Sequence, residues 1–184
     1  MDPETDIFIF IFYFQCSVFV QKSLFQSQIG SLTLVFVVIA LMLLLIFKSF
    51  KIMLIGLLPN IFVAFSVIGL LGLLGIPLDI MTITVAAISV GMAVDNTIHY
   101  IYRYKKEMKI TGSSELALIN AHTTTGRAIF YTAATIAAGF SILALSNFFP
   151  TRLFGIFTAI AMLVAFISSL SLLPNLLVKF KVFQ

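Results

Sequence analysis

The sequence predicts an all-α membrane protein, a bundle of five transmembrane helices plus one short cytoplasmic interfacial helix. Three observations carry that expectation. The chain of 184 residues is 61% hydrophobic and only 10% charged, a balance outside the range of soluble domains. Charged residues are absent between Lys22 and Lys48, from Ile52 to Leu78, from Ala128 to Thr151 and from Leu153 to Val178, and each gap exceeds the ~20 apolar residues that cross a bilayer as a helix. A fifth stretch, Ile80 to Tyr102, is interrupted only by Asp95 and His99.

Residues 1–28 form an atypical N-terminal segment. Asp2, Glu4 and Asp6 precede the apolar run Ile7 to Phe14, whereas a secretory signal begins with basic residues. The run is too short to span and shows neither period 2 nor period 3.6, so it reads as a poorly specified start, a remnant of a larger chain.

The first span, 29–48, carries Leu, Val and Ile on every face and is expected to face lipid. The second, 52–75, contains Pro59-Asn60 near its start and Gly69, Gly72 and Gly75 towards its end. Small residues let helices approach closely in lipid, and Gly75-Ile76-Pro77 reads as a helix end and turn.

The third span, 79–104, holds the chemistry. At 3.6 residues per turn, Thr84, Ile88, Gly91, Asp95, His99 and Tyr102 fall on one stripe. Asp95 lies ~12 Å from Arg103 and ~24 Å from Asp79 along the axis, well below the membrane surface. An acid held there costs roughly 2.5 to 3.5 kcal/mol on insertion scales, and such acids belong to ion or substrate pathways. His99 stands one turn along on the same stripe, so the pair has the means to pass a proton along one face. Gly91 leaves room beside the acid for a helix or a water. A plain interhelical hydrogen bond is the competing reading of Asp95.

Gly112 is expected to end the third helix, and Ser113 or Ser114 to cap a short interfacial one with Glu115 in its first turn. The fourth span, 127–147, presents Thr125, Thr132, Thr135 and Gly139 on one arc, with Thr123 and Thr124 extending the polar patch. Those hydroxyls either cross to another helix or bond their own backbone. Ala133, Ala134, Ala137 and Ala138 suggest a helix packed inside the bundle. Asn147-Phe148-Phe149-Pro150 forms an outer turn, and the fifth span, 152–178, carries Pro174-Asn175 near its inner end.

Lysine and arginine set the orientation. Lys48, Lys51, Arg103, Lys105, Lys106, Lys109, Arg127, Lys179 and Lys181 fall on one side, while Lys22, Asp79 and Arg152 fall on the other. The positive-inside rule puts the first group in the cytoplasm, the N-terminal end outside and the C-terminus inside. A net charge of +4 then reflects loop lysines near anionic lipid, and no nucleic acid is expected as a partner. The lone Cys16 makes neither an intrachain disulfide nor a metal set. No nucleophile, second acid or metal set accompanies Asp95 and His99, so an enzyme is not expected.

The run Ser89-Val90-Gly91-Met92-Ala93-Val94-Asp95-Asn96-Thr97-Ile98-His99 resembles the Gly-x-x-x-Asp-x-x-Ile-His motif of the resistance-nodulation-division superfamily, in the branch of exporters grouped with the MMPL family. Leu57-Leu58-Pro59-Asn60, Thr125-Gly126-Arg127-Ala128-Ile129, Ala138-Gly139-Phe140 and Pro150-Thr151-Arg152-Leu153-Phe154-Gly155 agree in order. The resemblance covers roughly Gln21 to Val178 and looks more like the C-terminal half of such a transporter. It implies a proton-driven exporter of hydrophobic or lipid-like molecules in the inner or plasma membrane. Asp95 matches the relay acid, Thr132 an assisting hydroxyl and His99 a motif position. Asn96 stands where several lipid exporters carry tyrosine. The implied energy source is the proton gradient, with no cofactor, and the implied partners are membrane lipids, the missing half with its porter domain, or an oligomer. Because the same helices form sterol-sensing domains in other relatives, the alternative is a non-transporting lipid-sensing or scaffolding module.

Overall fold

In a sequence this apolar, backbone N–H and C=O groups find partners in lipid only along the chain itself, and helices follow. The computed structural model describes residues 3–76, 80–180 and 182, and every element among them is helical. The helices are α1 (Pro3–Phe47), α2 (Phe50–Leu73), α3 (Ile80–Thr111), α4 (Ser114–Ala121), α5 (Arg127–Leu143), α6 (Phe149–Ile167) and α7 (Leu173–Lys179). Two π-helical turns, His122–Gly126 and Ser168–Leu172, join α4 to α5 and α6 to α7. The result is two continuous long helices, Ser114–Leu143 and Phe149–Lys179.

Four helices among the described residues are long and apolar enough to cross a membrane: Gln26–Phe47, Phe50–Leu73, Ser114–Leu143 and Phe149–Lys179. The stretch 79–104 becomes the greater part of α3, which is not one of the four found among the described residues. Pro77, Leu78 and Asp79, the expected outer turn before α3, lie outside the described residues, as does Lys181.

The core is built from α2, α3 and α6. Towards the C-terminal end of α2, Val67 and Leu71 pack with Val85, Ala86, Phe157 and Ala161; midway, Val63, Ala93 and Ala165 meet. The largest cluster joins Leu43, Ile52, Ile55, Tyr100, Ile101, Tyr104, Ala117, Leu173 and Leu177 at the other end. α1 flanks α2, and α5 flanks α6. α1 contributes little burial, with 11% of its most apolar window covered, which agrees with a lipid-facing first span.

Several expectations change. Residues 1–28 were expected to be poorly specified, yet α1 runs unbroken from Pro3. Its 45 residues make a rod roughly 65 Å long at 1.5 Å per residue, because a helix needs no periodic pattern when neither face must pack. The interfacial helix starts as expected, with Ser113 as N-cap residue and Glu115 in the first turn, but it is not separate from the fourth span. The π turn carries the chain from α4 into α5 without a loop.

The glycines also redistribute. Gly69 and Gly72 have nothing within 4 Å of where a Cβ would stand, so they make no close helix contact among the described residues. Gly155 does: a Cβ there would meet the Phe140 carbonyl oxygen at 2.6 Å and Leu143 Cβ at 2.7 Å, which brings α5 and α6 together backbone to backbone. Gly75 ends α2 with φ +64 and a hydrogen bond from Ile76 N–H to Leu71 O, the left-handed stop that glycine allows. Gly112 does the same after α3 with φ +62.

α5 is not enclosed. Within it only Ile129 and Ala133 are buried, while Ala134 and Ala138 are exposed. One face packs on α6, and no described residue covers the other.

Candidate functional site

Asp95 and His99 stand one turn apart on α3, with His99 Nε2 3.3 Å from Asp95 Oδ1. That contact follows from helical spacing alone, since residues four apart share a face. Both side chains are about two-thirds exposed, 69% for Asp95 and 67% for His99. The acid therefore does not sit against another helix of the chain, as a buried relay residue would. The helix contacts explain this: α3 gives its other faces to α2, α4 and α6, while α5 turns away onto α6 after the π turn.

The divergence of α3 and α5 leaves an open groove of about 440 Å³. Asp95, Asn96 and His99 line one wall; Thr124, Thr125 and Thr132 line the other, with Ala128 and Ile129. The fold thus brings the sequence-predicted acid, histidine and hydroxyl to one place from helices about thirty residues apart in sequence. Asn96 is buried where Asp95 is exposed, because adjacent helical residues point about 100° apart.

The threonines resolve the choice left open by their spacing. Thr132 donates to Ala128 O at 2.9 Å and Thr135 to Tyr131 O at 2.8 Å, so both hydroxyls bond their own helix instead of crossing to another. Thr97 and Ser89 do likewise on α3, to Ala93 O and Val85 O. Each hydroxyl oxygen keeps acceptor capacity. Thr132 offers that capacity to the groove.

Gly91, Thr135 and Gly139 are exposed and lie outside the groove lining. No described atom stands within 4 Å of a Cβ at Gly91 or Gly139, so the room that Gly91 was expected to leave beside the acid is present among the described residues. Together they extend the groove into a broader uncovered face of small and polar residues on α3 and α5.

Beyond the expected residues, a polar clasp fixes the C-terminal part of α3. Arg103 Nη2 lies 3.0 Å from Glu107 Oε1, and Asn120 Nδ2 donates to Glu107 Oε2 at 3.0 Å. Tyr104 and Ser114 share a 2.7 Å hydroxyl contact, and the Tyr100 hydroxyl lies 3.1 Å from His122 Nδ1. These contacts hold α4 against α3 and so set where the π turn begins. The Arg103/Glu107 spacing was a legible signal, but the partners on α4 were not.

Residues 19–180 match the MMPL family. A protein of Methanocaldococcus jannaschii named as a membrane protein is 29% identical over 153 residues, covering 83% of this chain and 39% of that relative. The chain thus spans about two fifths of the relative's length. No solved structure matches.

Proposed function

The chain belongs to the MMPL family, and from that premise we propose that it is the membrane portion of a proton-driven exporter of hydrophobic or lipid-like molecules, with Asp95 as the acid that takes up and releases the proton. In this reading α3 crosses the bilayer as a fifth span beside the four most apolar helices, with the N-terminal end outside and the Lys/Arg-rich ends in the cytoplasm. The remainder of the transporter, another half or a second copy with a porter domain, covers the open face of α3 and α5 and removes Asp95 from bulk contact.

The observation that carries the reading is the convergence of Asp95, His99 and Thr132 on one groove. A carboxylate that gains a proton loses its charge. Its preference for His99 and for the polar wall across the groove falls, and the packing of α3 against the covering helices changes with it. A local charge event of this kind biases a two-state helix arrangement that a porter domain reads out. His99, on the cytoplasmic side of the acid, is the next stop for the proton, and Thr132 assists from the opposite wall.

The test places Asp95→Asn in the full-length parent, reconstituted in proteoliposomes with an imposed pH gradient. Efflux coupled to that gradient is expected to fall by about 100-fold, the scale of a lost acid/base group. A correctly inserted variant with normal coupled efflux excludes Asp95 as the relay. Lipid binding that ignores both pH and this substitution would assign the face to lipid sensing instead.

A further inference from the structure

A second groove lies at the cytoplasmic end of the bundle, between the end of α1 and the extension of α3. It has a volume of about 270 Å³ and is lined by Ile46, Phe47, Tyr102, Lys105, Lys106 and Lys109. We propose that this groove binds the phosphate headgroup of an anionic phospholipid, with the lysines on the phosphate and Ile46, Phe47 and Tyr102 against the upper part of the chains.

The charge arrangement is the first support. Lys105 and Lys109 are four residues apart and Lys106 and Lys109 three apart, so they are neighbours on a helix whose like charges repel. α3 remains helical to Thr111, which holds the three ammonium groups on a rigid support. An anion between them turns that repulsion into attraction. The acid nearest in sequence, Glu107, is buried and engaged by Arg103 and Asn120 on another face of α3, and it makes no ion pair with Lys106 or Lys109.

The walls are the second support. Lys105 Nζ stands 5.9 Å from the Phe47 ring centroid, which directs its stem across the mouth of the groove. Lys48 follows Phe47 directly in the chain, and Lys51 lies in the first turn of α2. A groove with one apolar side and one cationic side matches an amphiphile at the depth where headgroup meets chain. A small soluble anion has no use for the apolar wall. The inference needs the chain to sit in a membrane but does not depend on proton transport.

The full chain, purified in an uncharged detergent, is titrated with short-chain phosphatidylglycerol, with phosphatidylcholine of the same chains and with inorganic phosphate, at constant ionic strength. Phosphatidylglycerol is expected to bind about tenfold or more tighter than either comparison ligand. Lys105→Gln/Lys106→Gln/Lys109→Gln should bring it down to the phosphatidylcholine value, and the corresponding triple arginine variant should restore it. Lys22→Gln/Arg152→Gln/Lys179→Gln removes the same charge elsewhere and should leave binding intact, with circular dichroism verifying the fold of each variant. Inorganic phosphate binding as tightly as the lipid would assign the groove to a free anion and overturn the proposal. Equal loss in both glutamine sets, or no loss in the first, would also overturn it.

Discussion

Side-chain direction on a single helical turn separates the roles of neighbouring residues. Asp95 is exposed to the groove, while Asn96 and Thr97 beside it are buried in the bundle. Thr132 keeps its own hydrogen bond to Ala128 O, so Thr132→Val should leave the melting temperature nearly unchanged and lower coupled efflux only in part. A large loss of stability on thermal unfolding would instead make the hydroxyl structural. Lys48 has φ 51, a left-handed conformation that costs a residue with a Cβ about 1 kcal/mol. Lys48→Gly should therefore raise stability by about 0.5 to 1 kcal/mol, read as a higher midpoint of thermal unfolding in detergent. The acid and its histidine were legible in the sequence because an intramembrane charge is costly. The strain at Lys48 was not, since nothing local demands it.

At the scale of elements, helix contacts in this chain are set by a few close approaches. Gly155→Ala should destabilise by about 2 kcal/mol, because the new methyl meets backbone of α5 that has nowhere to move. Gly139→Ala meets nothing and replaces a poor helix former, so stability of the chain should hold or rise by up to ~1 kcal/mol. If the open face is covered in the complete transporter, the same substitution should lower coupled efflux there. Activity and stability then separate. Glu107→Ala should cost about 2 kcal/mol by unfolding, below the range for a fully buried pair because Arg103 is one-third exposed. The sequence marked glycines as contact points without saying which ones, since both a packed and an open glycine look the same along the chain. The π turn at His122–Gly126 was likewise invisible, because Gly112 and the serines after it signal a helix start but not the absence of a later break. At the other π turn, Pro174 lies just beyond Ser168–Leu172, and its missing N–H favours such a local change in the hydrogen-bond ladder.

Across the whole molecule, the placement of lysine and arginine makes a testable prediction of orientation. Cys16 is exposed on α1 and lies ten residues before the apolar window that starts at Gln26, which is roughly 15 Å along a helix. In sealed cells, a membrane-impermeant maleimide should label Cys16 from outside. In a Cys16→Ala background, cysteine placed at Lys106 should label only after the membrane is opened. Reversed labelling would invert the topology and remove the cytoplasmic assignment of the lysine-lined groove.

Helicity, membrane residence and family were determined by the sequence alone, because apolar length, charge spacing and an ordered set of motifs are properties of the chain read end to end. Tertiary structure decided which faces are covered. It put α2, α3 and α6 at the centre, left α5 with one bare side and opened a groove between Asp95 and Thr132. The physical reason is that in lipid an apolar face has no preferred neighbour, so the hydrophobic pattern does not say which helix packs on which. Close backbone approach at Gly155 and the polar clasp at Glu107 make that choice.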